Sequence, residues 1–224
     1  MDAAMPTDTA SHLPPVLRPE NPPTHGLADF AREVGARSSD DLAGVTLSGI
    51  TLATADLRPG DVFVAVRGVN RHGAEFAADA AAAGAVAVVT DAAGEAIART
   101  AGIPVLVVDD PRAALGDMSA RVYATGADDD LPLLLGTTGT NGKTSVSHLL
   151  EGILSQIGAV TGLSSTAERH IAGQIIVSRL TTPEAYEMHA LLALMRERGV
   201  EAVAGSWAGW PRAYSQSCIL PLRF

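Results

Sequence analysis

Residues 131–158, LPLLLGTTGTNGKTSVSHLLEGILSQIG, set three structural demands in immediate succession. An apolar run of strand length comes first, at 131–138. A loop with glycines at 139 and 142 follows, over 138–144. Apolar residues then recur at helical spacing over 145–158: Leu149, Leu150, Ile153, Leu154 and Ile157 share one face, and Gly158 is the stop. Strand, glycine-bearing loop and helix in that order predict a helix packed back on a parallel sheet, with the loop at the strand's carboxyl end.

The chain upstream repeats the alternation. Helix is expected over 27–36 and strand over 45–52, with "RPGD" (58–61) as a turn. Strands follow at 62–66, 86–91 and 103–110, separated by helical segments at 72–85 and around 92–100. The alanine-rich segment 72–85 suits close helix–sheet packing. Pro111 opens a helix running to about Tyr123. Residues 1–24 contain six of the 13 prolines and little apolar period, which predicts a disordered leader. "ATGADDD" (124–130) reads as a polar hinge. A last helix is marked by Thr182 as cap, Pro183 at the first position and Glu184 at the positive dipole end. Arg196, Arg198 and Gly199 mark its close, and "VEAVA" (200–204) reads as the next strand.

Composition narrows the function classes. A net charge of −9 argues against a general nucleic-acid surface. No apolar run has the length of a bilayer span, and the N-terminus lacks the basic start and apolar core of a signal peptide, so a cytoplasmic protein is expected. Cys218 is the single cysteine, which excludes an internal disulfide. The six histidines show no ligand spacing, and no zinc site is expected from them.

Lys143 is the only lysine in the chain; every other cationic side chain is arginine. A compact ammonium inside a crowded phosphate loop is the role arginine cannot take over. Gly139 and Gly142 let backbone amides approach an anion, and the following helix adds its N-terminus. Lys143 would then reach terminal phosphates, and the Thr144 hydroxyl would ligate Mg2+. The loop departs from the general G-x-x-x-x-G-K-[ST] pattern: Thr137 stands where that pattern has glycine, and Gly136 is one place early.

The variant T-G-T-N-G-K-T (138–144) resembles the ATP loop of the Mur ligases, the amino-acid-adding enzymes of peptidoglycan precursor synthesis. Residues 48–91 and 105–124 resemble their UDP-binding N-terminal domain. "TGLSST" (161–166) and residues 180–203 resemble the diamino-acid-adding (MurE-type) branch. The likeness spans about residues 15–203. It implies a small α/β UDP-binding N-terminal domain at 25–124, a linker at 125–131, and the start of a P-loop-type α/β ATPase domain at 132–203.

By the same resemblance, Gly139, Thr140, Asn141, Gly142, Lys143, Thr144 and Ser145 bind ATP, with Lys143 catalytic and Thr144 on Mg2+. Leu52 and Thr54 stand where the family contacts uridine, and Val69, Asn70 and Arg71 in a second nucleotide-contacting loop. Thr181 and Thr182 match contacts to the UDP-muramoyl peptide. Many relatives have Asp-Ser-Arg at Ala53-Thr54-Ala55, so only a hydroxyl is retained there. The implied reaction joins meso-diaminopimelate or L-lysine to UDP-N-acetylmuramoyl-L-alanyl-D-glutamate. The substrate carboxylate attacks the γ-phosphate of ATP and ADP leaves; the incoming amine then attacks the acyl carbon of the acyl phosphate and phosphate departs.

After Val203 the family pattern continues to a Glu-Val-Ser-Ser-His-type motif, whereas this chain reads "AGSWAGWPRAYSQSCILPLRF" (204–224). That stretch holds both tryptophans and Cys218, and no acid. The expectation is a chain truncated or frame-shifted after about residue 203. Residues 27–124 are expected to fold as a unit, and 131–224 to be marginal or aggregation-prone, because a P-loop strand with one or two neighbours leaves edges unpaired.

Overall fold

The computed structural model describes residues 16–126, 130–177 and 183–206. Its first layer system is a four-stranded parallel sheet in sequential order: β3 (Gly49–Thr51), β4 (Asp61–Ala65), β5 (Ala87–Thr90) and β6 (Val105–Val107). A short antiparallel pair, β1 (His25–Gly26) and β2 (Thr46–Leu47), lies outside it. The single strand expected over 45–52 is therefore two strands in two different sheets.

Both faces of the four-stranded sheet are apolar, as parallel strands covered on each side must be. Alternation sorts them. Val62, Val64, Val89 and Leu106 meet Phe30 of α1 (Leu27–Glu33) and Leu115, Met118 and Val122 of α4 (Pro111–Tyr123). Phe63, Ala65, Val88 and Val105 face the other way, onto Ala77 and Ala80 of α2 (Ala77–Ala82) and Ala98 of α3 (Glu95–Ala98). The small side chains of α2 seat it close on the sheet. Asp110 caps α4, its carboxylate accepting from the amides of Arg112 and Ala113 at 2.9 and 3.0 Å.

The leader expected across 1–24 is described from Val16, and there it packs. Val16 joins the core, and the Arg18 guanidinium makes two hydrogen bonds of 2.8 and 2.7 Å to the Asp61 carboxylate. A buried charge needs such a partner, and the proline-rich composition concealed one. Asp61 also accepts from the Arg58 amide at 2.8 Å, so this carboxylate organises the turn at 58–61.

The second layer system is a five-stranded mixed sheet ordered β10–β9–β8–β11–β7. The strands are β7 (Leu133–Thr137), β8 (Thr161–Ser164), β9 (Glu168–Ile171), β10 (Gln174–Val177) and β11 (Ala202–Ser206). β7, β11 and β8 run parallel, and β9 and β10 form an antiparallel hairpin on β8. The hairpin escaped the sequence reading. Its two-residue loop is Ala172-Gly173, both at positive φ (47° and 85°), a conformation usually announced by Asn-Gly or Asp-Gly.

α5 (Lys143–Gln156) packs against β11, β8 and β7. The apolar face expected to be covered is instead partly open: Val146, Leu149, Ile153 and Ile157 are exposed. α6 (Ala185–Glu197) begins at Glu184 as cap, where a reciprocal capping box with Glu187 replaces the expected Thr182 cap; Thr182 lies outside the described residues.

Ten consecutive residues of α6, Tyr186 to Met195, are buried. The reason is that α6 lies between the two systems. Leu191, Leu192 and Met195 contribute to the second core with Leu134 and Val203, while Tyr186, Ala190 and Ala193 complete the first. Arg196 of α6 donates to the carbonyls of Tyr123, at 3.0 Å, and Ala124, closing the carboxyl end of α4.

Candidate functional site

β7 delivers the chain to Thr138, and α5 begins at Lys143. Between them Gly139 sits at φ 142° and Gly142 at φ 79°, positions that a side chain would strain. The loop residues 138–142 are exposed at the amino end of α5. The Lys143 ammonium folds back over this loop, donating to the Gly139 carbonyl at 2.7 Å. A terminal phosphate would offer the ammonium anionic oxygens in place of that neutral carbonyl. Thr144, in the first turn of α5, places its hydroxyl 3.4 Å from that of Thr166 after β8. The residues present therefore fit an anionic polyphosphate, with one hydroxyl oxygen available to a cation.

β11 lies between β7 and β8 and ends at Ser206, paired with Thr137 at the base of the loop. The strands' carboxyl ends thus converge where α/β sheets bind ligands.

In the first sheet, Leu52 and Thr54 follow β3, whereas Val69, Asn70 and Arg71 follow β4. β3 and β4 are adjacent and parallel, so both expected loops emerge at the same end of the sheet. Leu52 and Thr54 are half-buried; Val69, Asn70 and Arg71 are exposed. Arg71 is braced by Glu75 at 2.8 Å and lies over the Phe76 ring at 4.7 Å. Thr181 and Thr182 fall outside the described residues.

Two residues missed in the sequence stabilise this end. The His72 imidazole accepts from the Ala74 amide at 3.0 Å, and its other nitrogen donates to Asp91 at 3.1 Å. Asp91 follows β5, so the pair ties the β4 loop to the β5 loop. Gly94 makes room for it: a Cβ there would meet Thr90 Oγ1 at 2.2 Å and His72 Cε1 at 2.4 Å. The cavity of ≈160 Å³ lined by Arg18, Ser48, Arg58 and Asp61 lies at the opposite end, where β3 and β4 begin.

Fold and site together define a P-loop-type α/β protein whose phosphate loop follows a separate parallel α/β unit. Comparison with known proteins makes this specific. The model of the "Mur ligase family, catalytic domain" matches residues 46–123, and that of the "Mur ligase middle domain" matches 137–205. The chain belongs to the Mur ligase family.

It is 53% identical over 191 residues to a UDP-N-acetylmuramyl-tripeptide synthetase of Leifsonia xyli, covering 85% of this chain and 37% of that protein. It is 46% identical over 187 residues to a UDP-N-acetylmuramoyl-L-alanyl-D-glutamate–2,6-diaminopimelate ligase of Streptomyces avermitilis, covering 84% and 36%. The fold matches a solved structure of such a diaminopimelate ligase with a TM-score of 0.62 at 22% identity, over 83% of this chain and 37% of that one. The chain thus spans little more than a third of the relatives it matches. Among the described residues, no helix is long and apolar enough to cross a membrane.

Proposed function

We propose that this chain forms the UDP-precursor-binding and ATP-binding part of a ligase of peptidoglycan precursor synthesis. That ligase adds a diamino acid, meso-diaminopimelate or L-lysine, to UDP-N-acetylmuramoyl-L-alanyl-D-glutamate. The observation that carries the reading is the placement of Lys143 over the Gly139–Gly142 loop at the amino end of α5. The relatives named for this reaction support it.

Gly139, Thr140, Asn141 and Gly142 would receive the polyphosphate on backbone amides, with Thr144 and Ser145 closing the cradle from the first turn of α5. Lys143 would neutralise the terminal phosphates and Thr144 would give an oxygen to Mg2+. When bound, Mg–ATP supplies the activated phosphoryl group that drives amide formation. Leu52, Thr54, Val69, Asn70 and Arg71 would hold the uridine diphosphate portion, and Thr181 and Thr182 the muramoyl peptide.

Titration calorimetry of the full chain with Mg–ATP tests the nucleotide half, and with the UDP-muramoyl dipeptide the other half. Lys143→Ala is expected to weaken Mg–ATP at least tenfold while leaving the UDP precursor unaffected. Equal nucleotide affinity in the variant would overturn the assignment. The alternative reading is a chain that binds the UDP precursor and nucleotide without turnover. ADP release that requires both precursor and diamino acid separates the two.

A further inference from the structure

The histidines without ligand spacing in sequence include two that the fold brings together. α5 carries His148 and, three residues on, Glu151 on the same side. β9 carries Glu168 and His170, two apart and therefore on one face of the strand. The rings of His148 and His170 meet edge to face at 5.7 Å.

The hydrogen bonds assign the tautomers. His148 Nδ1 lies 2.8 Å from the Thr144 carbonyl, which only accepts, so Nδ1 carries the proton. His170 Nδ1 lies 2.8 Å from both oxygens of the Glu151 carboxylate and donates there. The Nε2 atoms are then the ones a metal ion would take; without a metal, His148 Nε2 donates its proton to Glu168 at 2.9 Å, and a bound ion would displace that proton. Both Nε2 atoms turn toward Glu168 Oε1, at 2.9 Å from His148 and 3.3 Å from His170. His170 Nε2 is buried and has no hydrogen-bond partner.

Three possible ligand atoms thus converge within 4.8 Å of one another, two of them on imidazoles whose far nitrogens are held by a carbonyl and a carboxylate. Those are the outer contacts that orient metal-binding histidines. A tetrahedral ion with bonds of about 2.0–2.2 Å separates its ligand atoms by about 3.3–3.6 Å; the two Nε2–Oε1 distances here are 2.9 and 3.3 Å, and all three atoms lie within 4.8 Å. With that proton displaced, the Glu151 and Glu168 carboxylates carry two negative charges for one divalent ion to match.

We propose that His148 Nε2, His170 Nε2 and a Glu168 oxygen form a zinc-class divalent metal site, with Glu151 as the positioning residue for His170. The mixed imidazole–carboxylate set suits Zn2+ over Mg2+. His148 and Glu168 remain partly exposed, so solvent completes the coordination. The site ties the phosphate-loop helix to the β9–β10 hairpin.

Metal-free full chain titrated with Zn2+, and separately with Co2+, tests this. One equivalent should bind, Co2+ should show the visible bands of a four-coordinate ion, and millimolar Mg2+ should not displace it. His170→Gln and His148→Gln should each weaken Zn2+ at least tenfold, Glu151→Gln about 10–100-fold, and Lys143→Ala not at all. Absence of stoichiometric binding overturns the proposal. So does binding that survives both histidine substitutions, because it then belongs to other side chains. If a variant fails to fold, zinc-edge absorption of the unaltered chain decides: two imidazoles support the site, fewer refute it.

Discussion

Arg18 and Asp61 form an ion pair at 2.7 Å in which the two side chains retain 4% and 3% of their exposure. The pair fastens the segment before α1 to the start of β4. Removing one partner strands the other charge in an apolar setting, whereas removing both does not. Asp61→Ala is therefore expected to cost about 3–5 kcal/mol, and the double change Arg18→Met with Asp61→Leu much less. Urea unfolding of the three proteins checks the order. Equal losses in the single and double variants would refute the pairing as the cause.

Burial pushes the His189 imidazole down to about 4. It sits 2.7 Å from the Thr125 hydroxyl. The unfolded state protonates this histidine near its ordinary value of about 6.5, while the folded state resists down to about 4. The stabilisation is complete above pH 6.5 and is lost as pH falls toward 4, by about 3 kcal/mol across that window. Unfolding midpoints should drop between pH 6.5 and 5, before most carboxylates titrate. The slope should flatten in His189→Gln; an unchanged slope would remove His189 from the explanation.

Ala172 holds φ 47° in the β9–β10 turn. A left-handed residue with a Cβ costs about 1–2 kcal/mol. Ala172→Gly or Ala172→Asn should raise stability by about 0.5–1 kcal/mol. Thermal unfolding measures it, and destabilisation by both changes would count against the turn.

Leu191 is fully buried in α6, while Ile153 on α5 is 58% exposed. Leu191→Ala should cost about 2–5 kcal/mol. Ile153→Ser should stay within about 0.5 kcal/mol. Chemical denaturation compares them, and a large loss at Ile153 would show that the α5 stripe is covered in solution.

Most of the first unit was legible because each element carried its own local mark. Pro111 placed the start of α4, and the continuous apolar run 62–66 marked a strand buried on both faces. The strand–loop–helix order around 138–144 was legible through its apolar run, its two glycines and the helical spacing that follows. The hairpin was not, since Ala172-Gly173 lacks the usual turn residues. The open stripe on α5 and the all-round burial of α6 depend on what lies opposite each helix, which helical spacing does not encode. The His148, Glu168 and His170 cluster was invisible for the same reason: its members stand 20 and 2 residues apart and meet only because α5 packs on the sheet next to β9.

The order of the chain and the order of the cores disagree at α6. By position it belongs after the phosphate loop, yet Tyr186, Ala190 and Ala193 finish the hydrophobic interior begun by α1 and α4. Cutting the chain between α4 and β7 would not yield two modules, but a first half with an open slot. Heat should therefore melt both sheets in one calorimetric peak, and a separately expressed 16–126 should regain its native fold only when the α6 segment is supplied in trans.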